Sequence, residues 1–276
     1  MIRRPPRSTQ GVSSAASDVY KRQFMTWVKL VSYDGHRLDA FTSGDMQNSK
    51  AGLVIIQEIF GVNQHIEKLC EDYSKEGYFC IAPAIFDRLE EKVNLNYDQV
   101  GIDKGKSLKE KVPVIGALRD IGAACSFAAK AGKVGILGFC YGGTLSWVCA
   151  ASISPILEWQ VIHAAIGYYG SDIFDHNKRI FGTSEATEGM EMEDKMQCPV
   201  MLHFGGKDST TPENEINNLK ARHPQSDMEM HIYPDAGHGF NCDMRDDFHQ
   251  ESADLAKERT LKFLSNHLSA AKQENQ

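Results

Sequence analysis

The 276-residue chain has no C-x-x-C pair, no apolar run of membrane-spanning length and no excess of basic residues. Each absence closes off a class of function. Its seven cysteines, Cys70, Cys80, Cys125, Cys140, Cys149, Cys198 and Cys242, are odd in number and sit mostly inside apolar stretches. That pattern implies reduced thiols in a cytoplasmic setting, with neither a disulfide framework nor a zinc motif, and no metal or cofactor is expected. A formal net charge of −7 argues against nucleic acid as a partner, because phosphate binding needs a basic face. Without a spanning run no membrane partner is expected either. What is present is ordinary for a globular chain, with 42% hydrophobic and 24% charged residues, enough to bury a sizeable core.

Residues 1–24 stand apart. The basic, Ser-rich stretch from Met1 to Gln23 has no apolar period and lacks the hydrophobic centre of a signal peptide. It resembles the translated read-through of a sequencing adaptor, with a transit peptide as the other reading. Met25 is then the natural start, and the leader is expected to be disordered. Residues 25–276 show neither an internal repeat nor a linker and are expected to form a single domain.

Within that domain the pattern alternates. Val28–Ser32 and Leu38–Thr42 flank the turn dipeptide Asp34-Gly35 and predict a hairpin at a sheet edge. Ala51–Gln57 is apolar without alternation, as in a strand buried on both faces. Asn63 can cap a helix whose Ile66, Leu69, Cys70 and Tyr73 share one face and which Gly77 ends. Phe79–Ala82, Ala164–Tyr169, Pro199–Phe204 and Met228–Tyr233 read as further strands. Pro212–Arg222 and Ala253–His267 read as helices, 84–106 and 171–197 as loops, and one long helix is expected from Ser107 to Ala131. Strands alternating with helices predict an α/β fold, a doubly wound, mostly parallel sheet with helices on both faces.

The chemistry concentrates at Lys133-Val-Gly-Ile-Leu-Gly138-Phe-Cys140-Tyr-Gly142-Gly143, an apolar strand that stops at a cysteine between glycines. A side chain displayed on so tight a strand-to-helix turn needs neighbours two residues away without Cβ atoms, so Cys140 reads as the residue of a nucleophile elbow. A buried structural cysteine is the plainer alternative. Two more candidates follow strands: Asp208 after Gly205-Gly206-Lys207, and His238 after Pro234-Asp-Ala-Gly237. Taken singly, Asp208 is readable as a turn residue and His238 as one of ten histidines. Together they stand in the order nucleophile, acid, base of the α/β-hydrolase fold. His203, inside a strand, reads as a core histidine.

The chain from Met25 onward resembles the dienelactone hydrolase (carboxymethylenebutenolidase) family. The resemblance rests on Gln57-Glu-Ile-Phe-Gly61, Gly138-Phe-Cys-Tyr-Gly-Gly143, Gly167-Tyr-Tyr-Gly170, Gly205-Gly-Lys-Asp208 and Ala236-Gly-His-Gly-Phe240. It implies attack of a Cys140 thiolate on a lactone or ester carbonyl, with His238 as base and Asp208 orienting it. It also implies an oxyanion hole from the N–H groups of Tyr141 and Ile59. Glu58 is then expected to bond the resting thiol and, displaced by substrate, to ionise it. Arg88 matches an arginine that reads a substrate carboxylate. A second family arginine is replaced by Cys242, and Arg245 is expected to stand in for it. This departure opens the way to a broader esterase. An acyl transferase or thioesterase on the same scaffold, and a non-catalytic binding protein, are the competing readings. The expected partner is a small ester or lactone, and the chain is expected to be a monomer or weak dimer.

Overall fold

At Asp34-Gly35 the chain does reverse. Gly35 takes φ +81°, its N–H donates to the Ser32 carbonyl, and Ser32 N–H donates to that of His36, both at 2.8 Å. The turn joins β1 (Met25–Val31) to β2 (Arg37–Ser43), which pair antiparallel. This is a computed structural model, and it describes residues 25–153, 162–174, 191–192, 196–223 and 227–269. The expected leader and most of the loop expected at 171–197 lie outside the described residues.

The remaining strands of the main sheet are β3 (Gly52–Ile56), β4 (Phe79–Pro83), β5 (Val134–Phe139), β7 (Ile162–Tyr168), β9 (Val200–Gly205) and β10 (Met228–Tyr233). Two-residue strands β6 (Ser152–Ile153) and β8 (Glu191–Met192) pair with each other elsewhere. The main sheet runs β1-β2-β4-β3-β5-β7-β9-β10. It is antiparallel across β1, β2 and β4 and parallel from β4 onward. The chain therefore has the doubly wound α/β-hydrolase architecture expected.

The apolar runs are continuous because both sheet faces are covered, and successive residues divide between two cores. Leu53, Ile55, Leu137 and Phe139 pack with α1 (Gln64–Lys75) and α6 (Gln250–Leu268), through Ile66, Cys70, Tyr73, Phe263 and Leu264. Val54, Ile56, Val134 and Ile136 face the other way, against α3 (Val114–Ala128), α4 (Tyr141–Ala151) and α5 (Glu213–Arg222). The two-residue period of a strand, sandwiched between helices, produces this division.

The single long helix does not form. In its place stand α2 (Gln99–Lys111) and α3, bent by 95° at their junction. Pro113 has no N–H to donate and holds Val112 extended, at φ −72° and ψ 119°. The helix also begins earlier, because the Asp98 carboxylate accepts from the Gly101 N–H at 2.8 Å and caps it. The stretch 84–106 is thus no irregular loop: it holds a 3-10 turn at Ile85–Arg88 and the first half of α2. Among the described residues no single helix is long and apolar enough to cross a membrane.

Candidate active site

Cys140 leaves β5 with φ +52°, a left-handed backbone that L residues occupy only under constraint. The constraint is hydrogen-bonded on both sides. Cys140 N–H donates to the Tyr168 carbonyl at 2.9 Å, and Thr144 N–H donates to the Cys140 carbonyl at 3.1 Å. The flanking glycines make the turn possible: a Cβ on Gly138 would lie 1.9 Å from the Gly142 oxygen, and one on Gly142 would lie 2.3 Å from that of Ile56. The elbow expected from the sequence is therefore present. Tyr141 opens α4, where the first N–H groups have no partner within the helix.

Asp208 and His238 follow β9 and β10, neighbouring strands of the same sheet. His238 Nε2 lies 3.2 Å from Cys140 Sγ, and Nδ1 lies 2.8 Å from Asp208 Oδ2. Burial opposes charge on the imidazole, but the Cys140 sulfur and the Asp208 carboxylate outweigh it and raise His238 to about 10. Burial likewise works against the Asp208 carboxylate. Bonds from His238 and from Thr210, whose N–H and hydroxyl donate to Oδ1 at 2.8 and 2.6 Å, leave Asp208 below the usual carboxylate range. The Tyr169 ring stands edge-on to His238 at 5.3 Å.

Glu58 follows β3 and is 1% exposed. Its carboxylate does not bond the thiol, contrary to expectation. Oε2 accepts from the Tyr97 hydroxyl at 2.9 Å, and Oε1 lies 3.4 Å from Arg245 Nη1. Arg245 also lies over the rings of Phe60 and Tyr97, 6.0 and 5.8 Å from their centres. The sulfur instead faces His238, so carboxylate and thiol each have their own partner. Ile59 is held by α2, whose Gly105 leaves no room for a Cβ: it would meet the Ile59 carbonyl oxygen at 2.2 Å.

Arg88 departs from the sequence reading. Nε and Nη2 donate to Asp120 at 2.7 and 2.8 Å, and Nη1 and Nη2 donate to Asp34 at 2.9 and 3.2 Å. All three guanidinium nitrogens bond carboxylates of the hairpin turn and of α3. Arg245 lies beside Glu58, 3.4 Å from its Oε1. His203 is the satisfied core histidine expected, with Nδ1 2.8 Å from the Tyr233 hydroxyl and Nε2 3.1 Å from Thr260 Oγ1.

Three neighbours carry no signal in the sequence. Tyr97 belongs to a polar stretch that reads as loop, yet the phenol of this half-buried residue holds Glu58. Thr210 lies just after Asp208 and bonds its carboxylate through both N–H and hydroxyl. His65, in the first turn of α1, is 2% exposed and neither ring nitrogen has a hydrogen-bond partner. Burial pushes the His65 imidazole down, and burial together with Glu58 pushes the Cys242 thiol up to about 11.

A family model described as "Dienelactone hydrolase family" matches residues 38–268. A "Putative carboxymethylenebutenolidase" of Yersinia pestis is 32% identical over 221 residues, covering 78% of each chain. The "Carboxymethylenebutenolidase" of Pseudomonas putida is 26% identical over 244 residues, covering 86% of this chain and 95% of its own. Among solved structures, a "Putative Dienelactone Hydrolase" of Klebsiella pneumoniae subsp. pneumoniae superimposes with a TM-score of 0.71 at 26% identity, covering 87% of this chain and 98% of its own.

Proposed function

This chain belongs to the dienelactone hydrolase family and is a carboxylic-ester hydrolase, and from that premise we propose that it opens a lactone or ester through a Cys140-His238-Asp208 triad. The observation that carries this reading is the continuous relay of 3.2 Å from sulfur to imidazole and 2.8 Å from imidazole to carboxylate. The thiolate is the nucleophilic form, and His238, whose charged form is favoured by the Asp208 carboxylate and the sulfur, stands 3.2 Å from Sγ to take the thiol proton.

The sulfur adds to the carbonyl carbon and the oxyanion is met by the N–H groups of Tyr141 and Ile59. Collapse breaks the C–O bond, and His238 gives its proton to the departing alkoxide. The acyl group now sits on sulfur as a thioester. His238, neutral, takes a proton from water; the hydroxide adds, and the thiolate leaves with the imidazolium restored. Asp208 keeps Nδ1 protonated, so that Nε2 faces the sulfur throughout.

Glu58 and Arg245 supply the response to substrate. An acidic substrate competes with Glu58 for Arg245 through a charge-assisted pair. Glu58, once released, stands beside the reaction centre as a second base. Arg88 is paired with Asp34 and Asp120, and Arg245, beside Glu58, is the cation we assign to a substrate acid.

The test compares kcat/KM for dienelactone and for p-nitrophenyl acetate in wild type, Cys140→Ala and Arg245→Ala. Cys140→Ala should lose hydrolysis of both, and Arg245→Ala should lose the lactone preferentially. Retained turnover in Cys140→Ala would overturn the triad. An Arg245→Ala protein with unchanged preference would leave a general esterase.

A further inference from the structure

The spacing of cysteines and histidines in the sequence offers no metal motif, yet the fold gathers one outside the triad. A carboxylate oxygen of Glu58, a ring nitrogen of His65 and Sγ of Cys242 all lie within 4.8 Å of one another, and all three residues are buried. They come from three separated places: the end of β3, the first turn of α1 and the segment between β10 and α6. His65 is the informative member. A buried imidazole ordinarily has partners for its nitrogens, because leaving them unpaired costs free energy. Here both nitrogens are unpartnered while the ring is 2% exposed. A cleft of about 280 Å³ beside α1 has His65, Lys68, Asn241 and Asp243 in its lining.

We propose that Glu58, His65 and Cys242 form a binding site for a divalent transition-metal ion, of which zinc is the best match, and that the ion switches the hydrolase off. One oxygen, one imidazole and one thiolate suit a borderline-soft ion, and three protein ligands leave a fourth position for water. Bond lengths of about 2.0 Å to nitrogen and oxygen and about 2.3 Å to sulfur would draw the donors in by about 1 Å. The Cys242 proton leaves to solvent as the S–metal bond forms. The ion's double charge is then balanced by the carboxylate and the thiolate. Arg245, facing a cation, loses Glu58 and keeps Asp247, whose Oδ2 lies 3.8 Å from Nη2. Glu58, once a ligand, can neither pair with Arg245 nor act beside the sulfur. This last consequence rests on the role proposed above for Glu58; the binding does not.

Cobalt(II) titrated into the full chain reports binding directly, through thiolate-to-metal charge-transfer absorption. One equivalent should produce the band, and zinc should abolish it by displacement. Cys242→Ser should lose the band, and Cys140→Ser should keep it. His65→Gln should weaken binding by more than the ~10–100-fold that changes outside the ligand set cost. Zinc should suppress ester hydrolysis by wild type, a chelator should restore it, and Cys242→Ser should turn over equally with and without zinc. Absence of a band in wild type would overturn the site. So would a band lost in Cys140→Ser but kept in Cys242→Ser, which would place the ion on the catalytic pair. A band dependent on Cys242 with undiminished turnover would uphold the site and overturn the role given to Glu58.

Discussion

At the scale of the residue, the site is a question of which charge faces which. His238 is the clearest case, since burial alone would make it neutral, and its two neighbours reverse that. The sign has a consequence for stability. A histidine whose folded value lies near 10 contributes stability in full below its unfolded value of about 6.5 and loses it progressively as pH rises toward 10. Asp208 works in the opposite sense. Its folded value lies below the ordinary 3.8, so its contribution is present above that value and fades as the solution is acidified beneath it. The melting temperature of wild type should therefore decline between about pH 6.5 and 10, and Asp208→Asn should shallow that decline. The same substitution should lower kcat by as much as about 10⁴-fold, the loss found when a triad imidazole is held in the wrong tautomer. A variant with near-normal kcat and an unchanged pH profile would remove Asp208 from the triad.

At the scale of the element, the helix that the sequence hid matters most. The polar stretch from Leu89 to Lys106 lacks the apolar period that marks a helix, and its start is set by one side chain, Asp98 on Gly101 N–H. Pro113 falls inside the one helix expected from Ser107 to Ala131, and the 95° turn it permits depends on what α2 packs against. That surface is the loop after β3. Gly105 approaches the Ile59 carbonyl so closely that a methyl group would meet it at 2.2 Å. Gly105→Ala should push α2 and the Ile59 peptide apart, costing about 1–3 kcal/mol of stability as overpacking does. Its kcat should fall toward the ~10²–10³-fold loss of a missing oxyanion donor, with KM much less affected. Steady-state kinetics beside a thermal melt separates the two effects. A lower melting temperature with unchanged kcat would mean that Ile59 has no part in holding the oxyanion.

At the scale of the whole molecule, what the sequence made legible is what its local rules reach. Cys140, Asp208 and His238 could be read as candidates because each follows a strand and is punctuated by glycine, and the sheet then brings together strand ends that are distant in sequence. The partner of an arginine is not local. Phe86-Asp-Arg88 looks the same whether the guanidinium turns to a ligand or to the protein, and two carboxylates from elsewhere decide it. Arg88 joins the β1–β2 turn, through Asp34, to α3, through Asp120, at the seam between the antiparallel hairpin and the parallel sheet. Asp120 has no exposed side chain, and only Ser32 Oγ, with His36 at 4.0 Å, stands by it once Arg88 is gone. Arg88→Ala thus strands a buried carboxylate, a change that costs about 3–5 kcal/mol. In a chain of this size the melting temperature should fall by on the order of 10 °C. The ratio of kcat/KM for dienelactone to that for p-nitrophenyl acetate should stay where it is, because Arg88 is held by Asp34 and Asp120. Asp120→Asn in the same background should recover part of the lost stability, since it removes the charge that Arg88 had covered. If instead the ratio collapses while the melt is unmoved, Arg88 returns to the substrate site, and its pairing with Asp34 and Asp120 is a resting contact that the substrate breaks.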